Sequence, residues 1–410
     1  MPPSPASPSL PKRRYDRVLV IGGGPVGAIT ALLLAQAGIP VTVIEREAGM
    51  VLDYRASTFH PPTLDLLEPC GATEALVRMG LIAPVMQYRD RQHGKVAEFD
   101  LALLKGDTRH PYRLQCEQFK LVDWAYGQLR AIPGVELLFR HEVTDVAVND
   151  DGITVRATSP AEAVTLTGDF AIGADGGRSV TRKQLGIGFD GFTYPEHFLV
   201  AGTTFDFRSA MPDICSVNYT ADPVEWYLLL QIPDMWRVVT PVDPVVEPSE
   251  AVQEERLQAS LQNLLPRPTP YEIVVKGIYR VSQRVAATYG KGRAFLAGDA
   301  AHINNPLGGM GLNGGLHDAL SLTARLIDVW HGRADERALA GYEPQRKPEA
   351  VNAINAITAR NKKLLEERDP EIRARNLAEW RKIAADRELA YQHLLQTSMI
   401  ASLRRCGMLA

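Results

Sequence analysis

The chain has 410 residues, a length that holds two or three packed units and excludes a single small module. Lys and Arg total 45 against 48 Asp and Glu, a net charge of −3 that is too balanced for a nucleic-acid or acidic-membrane binder. Apolar residues at 45% and charged residues at 23% exclude wholesale disorder and supply a sizeable core.

Residues 1–14 are rich in Pro and Ser, have no apolar stretch of signal-peptide type, and read as a flexible tail. Residues 17–21 form a short apolar run into Gly22-Gly23-Gly24, the pattern of a buried parallel strand entering a tight turn. Small apolar helix formers fill 26–37, Gly38-Ile39-Pro40 stops that helix, and 41–44 gives a second buried strand, a βαβ beginning. Helical character follows over 119–129, then strands at 135–139 and 143–148, a turn at Asp150-Asp151-Gly152, and strands at 153–157 and 164–166. The buried pattern resumes at 169–174, and Asp175-Gly176-Gly177 turns the chain. Between 188 and 283, alternating and aromatic-rich runs broken by prolines predict a second, mostly antiparallel sheet. A loop at 241–248 and a helix at 249–264 belong with it, and a strand at 293–297 returns to the first unit. Residues 338–409 are helical, and the interleaved acids and bases of 361–390 fit solvated helix faces.

Cys70, Cys116, Cys215 and Cys406 lie far apart, with no CxxC pair and no His/Cys cluster at metal spacing. They read as core thiols of a reducing compartment, and no metal site is expected. No run approaches the ~20 apolar residues of a membrane span, so the expected compartment is the cytoplasm.

Three motifs carry chemistry. Gly22-x-Gly24-x-x-Gly27 follows a strand and opens a helix, and Glu45 ends the next strand, the context a dinucleotide fingerprint requires. Gly22 permits the turn, Gly24 lets backbone approach a pyrophosphate, Gly27 packs helix on sheet, and Glu45 takes ribose hydroxyls. FAD and NAD share the adenosine diphosphate half, so this fingerprint alone leaves the choice open. The second motif is Gly173-Ala174-Asp175-Gly176-Gly177-Arg178-Ser179-Val180-Thr181-Arg182. The third is Gly298-Asp299-Ala300-Ala301-His302, followed by Pro306-Leu307-Gly308-Gly309-Met310-Gly311-Leu312-Asn313.

In this order the motifs resemble the single-component FAD-dependent aromatic hydroxylases, flavoprotein monooxygenases of the p-hydroxybenzoate hydroxylase fold, over about residues 15–345. The resemblance implies an α/β fold with a Rossmann-like FAD-binding domain of the GR2 type, assembled from 15–85, 105–187 and 284–335. A mostly antiparallel substrate domain, 86–104 and 188–283, is inserted in it, and 336–410 is a C-terminal helical segment. The implied cofactor is FAD, with NADH or NADPH and O₂ as co-substrates. The implied reaction hydroxylates a small phenolic or N-heteroaromatic ring through a flavin C4a-hydroperoxide.

Carried over residue by residue, Gly22, Gly24, Val26, Gly27, Glu45 and Arg46 fall on the adenosine diphosphate half. Arg55 reaches the phosphates or ring, and Gln115, with Gln118 as competitor, matches an FAD-contacting glutamine. Asp299 meets the ribityl hydroxyls, Pro306 flanks the flavin, and the Gly311-Leu312-Asn313 backbone faces the pyrimidine edge. Asp175 and Arg182 match the pattern linked to nicotinamide nucleotide use, although Asp175 also reads as a helix cap. Asn305 and Met310 depart from the Pro-Pro and GGQG that many relatives carry. His60 and Tyr219 are the candidates for proton relay, and Tyr219 and Pro306 for substrate contact. Trp226 and Tyr227 share the predicted sheet, where ordinary packing explains aromatics equally well.

A reductase or oxidase of the same superfamily that inserts no oxygen is the alternative. A halogenase is weaker, since no two tryptophans are spaced Trp-x-Trp, and a flavin-binding protein without turnover is a third reading. A monomer or homodimer is expected, and two roles stay open for the C-terminal helices: capping the active-site domain or pairing subunits.

Overall fold

The computed structural model describes residues 15–149 and 152–409. The 1–14 tail and the Asp150-Asp151 part of the predicted turn lie outside the described residues.

Val18–Ile21 is buried over its whole length and forms the centre of a six-stranded sheet. Val41–Ile44 and Phe170–Gly173 flank it in parallel, and Val135–Leu138 and Ala294–Leu296 extend the two sides in the same direction. A parallel strand covered on both faces needs an unbroken apolar run, as Val18–Ile21 and Phe170–Gly173 have. Helix Pro25–Gln36 covers one face with Ala28, Ile29 and Leu32, packed against the long helix Met310–Trp330. The register matters for function: Ile21 lies beside Ile44 and Gly173, and Gly173 beside Leu296. The segments that follow these residues therefore leave from one level of one sheet edge.

An eight-stranded sheet, nearly all antiparallel, runs from His302–Ile303 through Ile273–Ala286, Phe189–Thr203, Met235–Val242, Tyr227–Ile232, Val217–Ala221 and Val85–Asp90 to Gly94–Asp100. The period of two divides its side chains cleanly. Leu199, Tyr227, Leu229 and Trp236 face a helix, Glu254–Leu264, through Leu257 and Leu261. Phe198, Val200, Tyr219, Leu228 and Val239 face the other way, together with Tyr88, and meet Leu377, Trp380 and Leu394 of the C-terminal helices. The C-terminal segment thus spends its apolar side on this inner sheet face. The helix predicted over 249–264 is two, Pro248–Ala251 and Glu254–Leu264, because Gln253 takes extended backbone and restarts the turn.

Helix Pro61–Leu67 starts after His60 as the Pro61-Pro62 pair implies, whereas the sequence pattern missed helix Ala72–Met79 and a small sheet of Thr58–Phe59, Arg113–Gln115 and Leu81–Ala83. Cys70 and Cys116 are buried, whereas Cys215 and Cys406 are only half-buried, a departure from the core-thiol expectation. No described helix is long and apolar enough to cross a membrane.

Candidate active site

The three motif loops meet at the shared sheet edge. Gly22 has φ +96°, and a Cβ there would stand 2.5 Å from the Ala174 carbonyl oxygen, so the first loop lies directly on the second. Any side chain at Gly27 would overlap the Gly22 carbonyl. Val26 wedges into the third motif, its Cγ2 2.8 Å and 2.7 Å from where Cβ atoms at Gly298 and Gly315 would be. Glu45 turns back on the glycine run: Oε2 accepts from Gly23 N–H at 2.6 Å and Oε1 from Glu47 N–H at 2.8 Å. Tyr126, which sequence reasoning missed, donates to the Gly23 carbonyl at 2.6 Å. Arg46 is exposed and pairs with Glu47.

This edge fits an adenine dinucleotide. Helix Pro25–Gln36 opens without a side-chain cap, and a Cβ at Gly24 would meet no atom within 4 Å, so backbone N–H groups face an open cradle. Asp299 is exposed to solvent, yet the protein around it raises its pKa, partly offset by Arg55 and His302. Gln115 is fully buried, accepts from Thr58 Oγ1 at 3.0 Å, and leaves Nε2 without a partner among the described residues.

The second motif is spent on its own fold. Asp175 Oδ1 accepts from Ser179 Oγ at 2.6 Å, and Oδ2 from Thr181 N at 2.9 Å and Thr181 Oγ1 at 3.0 Å. Arg182 is buried over the Phe189 ring and donates to the Ala300 and Gly177 carbonyls, each at 2.8 Å. Arg182 was expected toward a nicotinamide nucleotide; its guanidinium fastens the second motif to the third. Asp175 occupies the capping arrangement.

A charged group that sequence reasoning missed organises the third motif. Asp318, fully buried on helix Met310–Trp330, accepts from Gly298 N at 3.1 Å, His302 Nε2 at 2.8 Å and Arg346 Nε at 2.8 Å. Burial pushes its pKa up, but His302 and Arg346 outweigh that and hold it below the ordinary value. Asn313 was expected to offer backbone to the flavin. Its side chain instead staples two loops, with Oδ1 accepting from His60 N and Nδ2 donating to the Thr58 and Gly309 carbonyls. Gly311 and Leu312 are half-buried in the first turn of that helix. The Pro306 carbonyl closes the turn by accepting from Gly309 N at 3.0 Å.

The two departures from the family pattern have local reasons. Asn305 Oδ1 accepts from Leu307 N and Nδ2 donates to Gln283, so side-chain bonds replace a ring constraint. Met310 is buried in a small cluster with Ile354 and Met399 of the C-terminal segment, and Asn361 of that segment donates to the Leu307 carbonyl.

Opposite these loops, Arg55 pairs with Asp53 at 2.6 Å, and its charge acts on Asp299 and Tyr279. Arg237, from the inner sheet face, donates to Ser57 Oγ and the Arg55 carbonyl, with Nε unpartnered among the described residues. Its complete burial lowers its pKa. Burial pushes the Tyr279 hydroxyl to about 12.

Further along this face, Tyr219 is buried, and its hydroxyl accepts from Arg113 Nη1 at 3.1 Å. Tyr88 lies beside it in register and stacks on Trp380 at 4.5 Å. His60 is fully buried, its Nε2 2.9 Å from the Gly308 carbonyl, and burial with the nearby Arg113 charge lowers its pKa to about 3. Both candidate relay residues therefore flank Arg113, which the sequence reading did not single out. Trp226 packs edge-on to Phe198 on this face, and Tyr227 lies on the other.

The family model described as FAD binding domain matches residues 15–356. A para-nitrophenol 4-monooxygenase of Pseudomonas sp. (strain WBC-3) is 34% identical over 385 residues, 93% of this chain and 94% of that protein. A 6-hydroxy-3-succinoylpyridine 3-monooxygenase of Pseudomonas putida (strain DSM 28022 / S16) is 34% identical over 358 residues, 87% and 90% of the two chains. The crystal structure of p-nitrophenol 4-monooxygenase from Pseudomonas putida DLL-E4 superposes with a TM-score of 0.90 at 33% identity, covering 95% of this chain and 98% of that one. These relatives are monooxygenases, which disfavours the reductase or oxidase alternative.

Proposed function

The chain belongs to the FAD-dependent aromatic monooxygenases, and from that premise we propose how its own residues divide the work on a small phenolic or N-heteroaromatic ring. One observation carries the reading: the Tyr219 hydroxyl, held by a buried arginine, shares a sheet face with Arg237, which reaches the cofactor edge through the Arg55 backbone. The nitrophenol and hydroxypyridine rings named for the two relatives support both ring classes.

The glycine turn at 22–27, Glu45 and Asp299 hold FAD, with the N–H groups of Gly311 and Leu312 beside the ring. When bound, FAD supplies the electron relay from NADH or NADPH and the activation of O₂. Tyr219 holds the oxygen of the substrate ring and orients the carbon to be hydroxylated. His60 stays neutral and shapes the wall between Gly308 and Arg113. Trp380 and Leu394 close the inner face against water, which protects the oxygen transfer from wasteful release of hydrogen peroxide.

The test is oxidation of NADH and NADPH by the FAD-loaded protein across phenols, hydroxybenzoates and hydroxypyridines, with mass analysis of each compound. The expected result is at least one compound that both accelerates oxidation and gains one oxygen atom. Stimulated oxidation that yields only hydrogen peroxide across the panel overturns the reading.

A further inference from the structure

Gln283 lies on strand Ile273–Ala286, 7% exposed, where the neighbouring strand Phe189–Thr203 bulges. Thr193 pairs with Ser282 and His197 with Arg280, so residues 194–196 stand opposite Val281 alone. Bulges re-aim side chains, and the Tyr194 hydroxyl donates to Gln283 Oε1 at 2.9 Å. The same oxygen accepts from Asn305 Nδ2 at 3.2 Å, while Gln283 Nε2 donates to the Asn355 carbonyl at 2.7 Å. Asn355 ends the π-helical turn Ala350–Asn355, a geometry that recurs at functional sites.

The polarity of this chain of amides is fixed at both ends. A backbone carbonyl only accepts, so the Gln283 NH2 faces Asn355 and its oxygen faces Asn305. A backbone N–H only donates, so Asn305 turns Oδ1 to Leu307 N, at 3.1 Å, and its NH2 to Gln283. Asn305 is fully buried, and losing its partner would leave a polar atom unmet. A proline at this position, as many relatives carry, holds the backbone by its ring and needs no partner. Asn305 holds it only while Gln283 holds Asn305.

Resting on the reading that FAD lies along the third motif, we propose that Gln283 is a positioning residue for the cofactor: it fixes the Asn305 amide, and Asn305 fixes the start of the Pro306–Gly309 turn that borders the flavin. Gln283 belongs to the eight-stranded sheet and Asn355 to the C-terminal segment, so elements outside the six-stranded sheet set this border. No covalent bond changes in this role.

The test is a double-mutant cycle on FAD affinity in the full chain, read by flavin fluorescence, with the visible circular dichroism of bound FAD as the second readout. Q283M, which fills the space without an amide, and N305A should each weaken FAD binding about tenfold and alter the dichroism alike. The double variant should also lose about tenfold, because the two amides act as one unit. In an N305P background, Q283M should change affinity by less than about threefold. Y194F leaves the Asn305 bond in place and should keep the wild-type dichroism, which a merely structural role for the cluster would not spare. Unchanged affinity in Q283M, losses that multiply to about a hundredfold in the double variant, or an undiminished loss in the N305P background overturns the proposal. Should Q283M not fold, Q283N, whose amide is withdrawn by one methylene, takes its place in the cycle. Wild-type protein that binds no FAD would overturn the cofactor placement itself, and the proposal with it.

Discussion

The third motif and the sheet face under the C-terminal helices hold a buried arginine in opposite ways. At the motif Arg346 rests on Asp318, which takes three donors, although His302 Nδ1 has no partner among the described residues. Under the helices, Arg113 Nε, His60 Nδ1 and His393 Nε2 have no partner among the described residues. Native proteins rarely tolerate such atoms without a use for them. The difference teaches that a charge met by its counter-ion makes a loop system rigid beforehand, whereas a charge held by neutral groups keeps bonding capacity unspent.

The sharpest way to break this comparison is to set D318A against R113Q. D318A leaves Arg346 buried without its carboxylate and should lower unfolding free energy by about 3–5 kcal/mol. R113Q removes a charge that has no carboxylate partner and should be close to neutral, or stabilising. Equal losses in urea denaturation would erase the distinction.

Acid separates the regions next. His60 and His393 titrate near 6.5 when unfolded but at about 3 and about 4 when folded, so between pH 6.5 and 4 the unfolded chain binds more protons. Stability should fall as pH falls through this window, by about 1.4 kcal/mol per pH unit for each histidine. The stability carried by the depressed Asp318 carboxyl is fully present above its unfolded value near 3.8 and is lost only as pH falls through the still lower folded value. A flat profile between pH 7 and 5 would contradict neutral burial of the histidines.

Smaller effects probe the edge itself. D299A should weaken FAD binding about 10- to 100-fold, read by recovery of flavin fluorescence, with the melting temperature of the FAD-free protein little changed. Y126F loses one bond to Gly23 and should cost about 0.5–1.5 kcal/mol in stability.

What was legible in the sequence follows from how local each signal is. The Gly22, Asp175 and Gly298 turns, the parallel strands and the long C-terminal helices announce themselves because a turn or an apolar period is decided within a few residues. The convergence of the motif loops follows from strand order, which the motifs implied. Asp318, Arg237 and Arg113 were illegible because their meaning depends on distant partners: Arg237 meets Ser57, and Arg113 meets Tyr219 and Thr397. The contact of Arg182 was illegible for the same reason, since a basic helix start says nothing of the Ala300 carbonyl that occupies it. Tyr219 was named from its place in the predicted sheet, yet its arginine partner lies on a three-residue strand too short to carry a pattern.

The bond between Arg113 and the Thr397 carbonyl also sets an order of events during synthesis. The glycine turn, Asp299 and Asp318 have all left the ribosome before helix Arg387–Thr397 is made. The cofactor edge can therefore assemble on a growing chain whose inner sheet face is still open on one side, and helix Arg387–Thr397 covers that face later.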